Sequence, residues 1–140
     1  IHPAGSLGAQ LKTVEDIMLK DKAIPFVSEN LKLKDALKVL SSKKLGFLLV
    51  RDKKTLTTLG LISDGDIRRF SQKNQNLHNI SVKEIMSKNP IGIDKNELAV
   101  KGLSLMADKK ITSLCVYNKK NKLKTIGVLH IHNILQSNIS

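Results

Sequence analysis

The chain is poor in the residues that most often advertise a chemistry. It has a single cysteine, Cys115, among 140 residues. An intrachain disulfide is excluded, and one thiol cannot by itself build a zinc site. Cys115 lies within the apolar run Ser113-Leu114-Cys115-Val116-Tyr117, where a free thiol acts as a small buried hydrophobe. That usage fits a reducing, cytoplasmic compartment. Tryptophan is absent, and one tyrosine and three phenylalanines are the only aromatics, too few for a base-stacking platform. No apolar run approaches the roughly 18 residues of a transmembrane helix, so no membrane partner is expected. The opening residues Ile1-His2-Pro3-Ala4-Gly5 have neither the basic start nor the apolar stretch of a signal peptide. They also lack an initiator Met, so the chain reads as a piece of a longer protein.

Arginine is scarce as well. The net charge of +12 rests on 21 lysines and only 3 arginines. Guanidinium groups are the preferred bidentate readers of bases and phosphates. The lysines are also spread over predicted helix faces and turns. A nucleic-acid partner is therefore not expected, whereas a diffuse positive field suits attraction of a phosphorylated small molecule.

What the chain does have is a second copy of itself. Val14-Glu15-Asp16-Ile17-Met18 returns as Val82-Lys83-Glu84-Ile85-Met86, Lys43-Lys44-Leu45 as Lys109-Lys110-Ile111, and Gly60-Leu61-Ile62 as Gly127-Val128-Leu129. A repeat of this period implies two copies of one supersecondary unit. Residues 1–12 read as a tail or linker, 13–72 as the first repeat, 73–80 as a linker and 81–140 as the second repeat. Thr13 with Asp16 and Ser81 with Glu84 predict capped helix starts. Ile24–Val27 predicts a short edge strand with Pro25 at its start, and Ile91–Ile93 is its counterpart. Leu33, Ala36, Leu37 and Leu40 fall at helical spacing, as do Leu98, Gly102, Leu105 and Met106. Gly46–Val50 with Leu59–Ile62, and Leu114–Tyr117 with Ile126–Leu129, predict hairpins joined by polar loops of four to five residues. Helices over Asp66–Gln72 and Asn133–Ser137 close the two units. The fold class is α/β (α+β), and each unit runs strand, helix, strand, strand, helix. A unit of about 60 residues buries little surface alone, so the sheets of two such units are expected to share a core. Clefts between such copies are natural small-molecule sites.

The strongest local motif is Gly60-Leu61-Ile62-Ser63-Asp64-Gly65-Asp66-Ile67-Arg68-Arg69. Ser-x-x-Asp at a strand-to-helix junction is a capping box, and that alone could account for it. The same geometry offers free N–H groups and a positive dipole to a phosphate. Ser63 and Asp66 could then hold vicinal hydroxyls of a ribose or sugar, with Asp64 beside them. Arg68, Arg69 and Lys44 would meet a phosphate. In the second copy the motif reads Gly127-Val128-Leu129-His130-Ile131-His132-Asn133, so hydroxyl has become imidazole and carboxylate has become amide. His130 and His132 are candidates for ligand contact. They are not expected to hold a metal, because no further ligand lies near in sequence. His78 in the linker carries no signal. No nucleophile–base pair, Walker loop or dinucleotide fingerprint is present. Met18, Met86 and Met106 occupy apolar helix positions and read as core, with Met18 and Met86 alternatively lining a cleft.

These residues resemble a tandem pair of cystathionine-β-synthase-type (CBS) domains, the Bateman module. Gly60 to Asp66 is similar to that family's ribose motif of Gly-hydrophobic-x-Ser/Thr-x-x-Asp. A narrower likeness comes from His2-Pro3-Ala4-Gly5-Ser6-Leu7-Gly8, Val14–Met18, Ser63–Arg69 and His130–Leu135, which look like the C-terminal part of KpsF/GutQ-type arabinose-5-phosphate isomerases. The resemblance implies two βαββα repeats packed as a pseudo-twofold pair. It implies a regulatory module rather than an enzyme, attached to an upstream sugar-isomerase (SIS) domain that interconverts ribulose 5-phosphate and arabinose 5-phosphate for Kdo, lipopolysaccharide or capsule synthesis. His2 would match an isomerase-site histidine of that domain. The implied ligand is an AMP- or ATP-like nucleotide, or a nucleotide sugar such as CMP-Kdo. No cofactor is required, and a homodimer within a tetrameric parent is expected. Asn133 departs from the family's usual Asp, so the two copies are expected to differ in ligand preference. A purely structural dimerisation module is the alternative.

Overall fold

The structure, a computed structural model, describes residues 11–43, 45–73 and 79–137. In chain order the elements are α1 (Val14–Ile17), β1 (Phe26–Ser28), α2 (Leu33–Lys43), β2 (Phe47–Arg51), β3 (Thr58–Ser63), α3 (Asp64–Lys73), β4 (Ser87–Lys88), β5 (Gly92–Asp94), α4 (Ala99–Lys109), β6 (Ser113–Asn118), β7 (Asn121–His130) and α5 (Ile131–Gln136). Single 3-10 turns lie at Asp21–Ala23 and Val82–Glu84. The mixed class and the strand, helix, strand, strand, helix order are present in both copies, as the sequence implies.

The chain divides into two compact units, residues 22–90 and residues 1–21 with 91–140. In the first, the sheet order is β1-β2-β3-β4. β1 runs parallel to β2, with Phe26 opposite Leu49 and Ser28 opposite Arg51. β2 and β3 form the antiparallel hairpin, with Phe47 opposite Ser63. In the second, the order is β5-β6-β7 with the same senses. Buried side chains follow the helical period. Leu33, Ala36 and Leu40 of α2 cover Val27, Leu48, Val50 and Ile62. Ala99 and Met106 of α4 cover Ile93, Leu114, Val116 and Leu129.

The units cut across the sequence period. Thr13–Leu19 opens the first repeat, yet it completes the unit built on the second. Val14 and Met18 lie in that core. Val14 N–H donates to the Glu97 carbonyl at 2.8 Å, and Leu19 and Val128 exchange backbone hydrogen bonds of 2.8 and 3.0 Å. The opening of the second repeat does the same for the unit of residues 22–90. Val82 is fully buried there and donates to the Leu31 carbonyl at 2.9 Å, and β4 pairs with the free edge of β3. In both places a methionine crosses a glycine. A Cβ on Gly60 would meet Met86 Sδ at 2.7 Å and the Ser87 carbonyl at 2.8 Å, and one on Gly127 would meet Met18 Sδ. Both methionines thus pack within a unit.

Several local expectations are corrected. The closing helices begin at Asp64 and Ile131, ahead of Asp66 and Asn133, because Ser63 and His130 cap them directly. Val82–Glu84 is one 3-10 turn, although its capping box forms, and strand β4 was not foreseen. Asn89 at φ +57° turns the chain just before Pro90. The first hairpin loop runs over residues 52–57, held by Asp52 Oδ1 accepting from the Lys54 and Thr55 N–H groups at 2.8 Å. The second needs only Lys119 and Lys120, so Asn118 pairs directly with Asn121. Leu98 is 41% exposed, since it caps α4 in an extended conformation instead of facing the core.

Candidate functional site

Strand β3 carries buried Ile62 into the core and presents Ser63 at its end, opposite Phe47. The chain then turns into α3. Ser63 N–H donates to Asp66 Oδ2 at 3.0 Å, and Asp66 N–H donates to Ser63 Oγ at 3.1 Å. The reciprocal capping box satisfies two backbone donors that the helix start would otherwise leave open. The hydroxyl proton of Ser63 takes no part in either bond. Arg69 donates to Asp66 Oδ1 at 2.6 Å and folds back across Gly65, where a Cβ would lie 3.2 Å from its guanidinium. Asp66 is largely buried at 19% side-chain exposure, whereas Arg69 is 68% exposed. The ion pair is thus anchored at the carboxylate and free to open at the arginine.

A cavity of about 220 Å³ adjoins this corner, lined by Asp66, Arg69, Phe70, Lys73 and Ile85. Of the residues expected from the sequence, it brings together Asp66 and Arg69, with Ser63 bonded behind Asp66. Arg68 is exposed on α3 and does not line the cavity. Asp64 is also exposed, with its N–H bonded to the Gly46 carbonyl at 3.0 Å and its carboxylate lying against Gly46. Lys44, His2 and His78 fall outside the described residues. Phe70 and Lys73 were missed. They share one helix face with 66 and 69 at steps of three and four, but which face meets a cavity is set by the fold. Chemically, the corner combines a hydroxyl donor, a carboxylate acceptor, two cations and one aromatic ring.

The equivalent corner of the other unit is built from different groups. His130 Nδ1 accepts from His132 N–H at 3.1 Å and caps α5. That bond places the proton of neutral His130 on Nε2. The two imidazoles stack with centroids 4.8 Å apart at 23°. Burial first, and the neighbouring His132 second, hold His130 below the ordinary histidine range. Cys115 is buried, and its thiol is pushed up to about 11 by that burial, against a smaller opposing effect of a Thr125 hydrogen bond. A thiol so protonated is a poor nucleophile. Among the described residues, no group of three or more His, Cys, Asp or Glu could hold a metal ion. No helix among them is long and apolar enough to cross a membrane.

Comparison with known proteins follows the sequence repeat, which the two units cut across. The CBS domain family matches residues 14–73 and again residues 82–139. Arabinose 5-phosphate isomerase KdsD of Yersinia pestis is 34% identical over 139 residues, which cover 99% of this chain and 41% of that protein. The corresponding Escherichia coli K12 protein gives the same identity and coverage. An uncharacterised protein of Rickettsia prowazekii, RP505, is 34% identical across 42% of its length. The chain therefore spans about two fifths of these relatives. Among solved structures, CBSX2 in complex with AMP superposes with a TM-score of 0.78 at 26% identity, covering 89% of this chain and 94% of that one. The CBS domain of a bacterial CNNM/CorC family Mg2+ transporter, in complex with ATP, shares the fold with a TM-score of 0.78 at 16% identity, covering 96% and 92%.

Proposed function

This chain belongs to the CBS domain family, as a tandem pair, and on that premise we propose that it is the ligand-binding regulatory module of an arabinose-5-phosphate isomerase. The catalytic SIS domain would be supplied by the remainder of a longer protein, and His2 would belong to that domain. The ligand is a nucleotide or a nucleotide-activated sugar of the downstream pathway. AMP, the molecule bound by CBSX2, is the first candidate, and ATP and CMP-Kdo follow. The observation that carries the reading is the Ser63–Asp66 corner beside Arg69 and Lys73. Ser63 would donate its hydroxyl proton to a sugar oxygen, and Asp66 would accept from vicinal hydroxyls. Arg69 would release Asp66 and turn to the phosphate, where Lys73 adds a second charge. Lys44 and Arg68 would extend this positive rim, and Asp64 would flank the sugar. His130 and His132 would contact a ligand of different preference in the second copy.

Regulation follows from linkage. A ligand that binds one arrangement of the module better shifts the population toward it, and the attached catalytic domain responds. The parent is expected to work in the cytoplasm as an oligomer, with this module in a homodimer.

A second reading has its own observation. Both Asp66 oxygens are already bonded within the chain, so the corner is complete as a helix cap. On that reading the pair is a structural dimerisation module. A thermal-shift screen of AMP, ATP, CMP-Kdo and sugar phosphates separates the two, since a ligand bound only by the native state must stabilise it. Selective stabilisation that Asp66→Ala abolishes is expected. No shift with any of these at millimolar concentration, or an unchanged shift in Asp66→Ala, would leave the structural reading.

A further inference from the structure

The Asp66–Arg69 ion pair of α3 has no counterpart on α5. At the register that matches Gly60 to Gly127, Asn133 stands where Asp66 stands and Gln136 where Arg69 stands. Carboxylate and guanidinium have given way to two amides, so the two charges are present together or absent together. In the unit of residues 22–90 the guanidinium lies across Gly65, where a Cβ would be 3.2 Å from Nη1 and 3.6 Å from Nη2. From there Nη2 donates to Asp66 Oδ1 at 2.6 Å, while Oδ2 accepts from Ser63 N–H. Oδ2 is tied to the helix cap. Oδ1 is held by an exposed side chain that can leave.

The cavity bears the mark of that contact. With Arg69 in place its volume is about 220 Å³, below the roughly 300–1,000 Å³ of sites that enclose a small organic ligand. Its wall holds the cations Arg69 and Lys73 against the single carboxylate of Asp66. A neutral sugar that offers a hydroxyl to Oδ1 replaces a charged donor with an uncharged one, and Arg69 receives only water in exchange. A sugar that also carries a phosphate gives the guanidinium a new anion, which it can grip with two parallel N–H donors. One ion pair is then exchanged for another.

We propose that Arg69 is the specificity-determining residue of this corner, a latch that holds Asp66 against neutral sugars and nucleosides and yields it to a phosphate ester. The inference rests on the Ser63–Asp66 corner being the ligand site. It narrows the ligand from a bearer of sugar hydroxyls to one whose phosphate reaches Arg69 while its hydroxyls reach Asp66.

The test is isothermal titration of the wild type and of Arg69→Gln, which copies the second unit. The probes are AMP against adenosine and CMP against cytidine, two pairs that differ only in the phosphate. Arg69 is exposed, and Asp66 keeps its bond to Ser63 N–H without it, so the variant folds. The wild type is expected to bind the nucleotide of at least one pair roughly tenfold or more tighter than its nucleoside, the scale of a charge-assisted hydrogen bond. Arg69→Gln is expected to weaken the nucleotide and to tighten the nucleoside by about two- to fivefold, the scale of an exposed ion pair that no longer has to open. The gain for the nucleoside decides. An arginine that only touches phosphate leaves the nucleoside unchanged, and one that only supports the helix start lowers both. Either outcome, or equal binding of nucleotide and nucleoside by the wild type, overturns the latch and leaves the ligand site standing. No saturable heat with any of the four at millimolar concentration overturns the latch, and with no thermal shift from ATP or CMP-Kdo it overturns the ligand site as well.

Discussion

At the strand-to-helix corner, the unit of residues 22–90 carries Ser63 and Asp66, and its counterpart carries His130 and Asn133. Both corners cap a helix, but with different acceptors. A hydroxyl oxygen accepts from Asp66 N–H in one, and an imidazole nitrogen accepts from His132 N–H in the other. The edge strands diverge in parallel, with Phe26 under Arg51 on one side and Gly92 under Tyr117 on the other. The cores do not diverge in this way. Leu48 and Leu114, Val50 and Val116, and Ile62 and Leu129 are matched hydrophobes, all at most 1% exposed. Duplication therefore preserved what burial demands and released what the corners and edges present.

If the units are equivalent in packing, matched core deletions must cost alike. Ile62→Ala and Leu129→Ala are each expected to destabilise by about 2–5 kcal/mol, the range for large-to-small changes that leave a cavity. Urea denaturation followed by circular dichroism checks this, and a much smaller loss at one site would break the equivalence.

The methionine–glycine crossings should be the next most sensitive matched pair. Gly60→Ala and Gly127→Ala each force a Cβ against a methionine and a backbone carbonyl. A loss of about 1–3 kcal/mol is expected for each, as for other overpacked sites. Combining Gly127→Ala with Met18→Ala should cost less than the sum of the single changes, because the methionine is the main obstacle. An additive double mutant would place the strain elsewhere.

Smaller effects sharpen the contrast at the corners. Ser63→Ala removes one cap acceptor and is expected to cost about 1 kcal/mol by thermal or chemical denaturation. His130 should add a pH dependence that Ser63 cannot. Its folded value lies below the ordinary one of 6.5, so the unfolded chain binds its proton more readily. Stability is then full above about pH 6.5 and declines as pH falls from there through the folded value. His130→Asn keeps a cap acceptor and should flatten that decline, read as Tm between neutral and mildly acidic pH. An unchanged profile would assign the effect to another group.

Much of this was legible along the chain because periodicity and caps are local. Short apolar runs on either side of polar loops announced β2, β3, β6 and β7, and helical spacing announced α2 and α4. Thr13-x-x-Asp16 and Ser81-x-x-Glu84 announced their capping boxes. The hydroxyl and carboxylate of the candidate corner were also visible, since Ser63 and Asp66 lie three apart. Phe70 and Lys73 were not drawn from the same helix face, because nothing local says which face meets a cavity. Strand β4 was hidden for a related reason. Two residues carry no period, and only the open edge of β3 makes Ser87–Lys88 a strand.

The sequence by itself determined that one unit occurs twice, and the hydrophobic period of the helices and strands from which each core is built. Hydrophobic period and repeat are properties of the chain, and burial enforces them wherever the chain folds. Only the tertiary structure decided which segment completes which unit. Val14 and Met18 are needed by the β7 edge, and Val82 and Met86 by the β3 edge, because each three-stranded core leaves an open edge and an uncovered apolar patch. Edge pairing is set by distance in space and not along the chain. The same holds for close side-chain contacts. Arg69 closing on Asp66 and Tyr117 lying over Gly92 are contacts between side chains whose letters, read in order, do not announce one another.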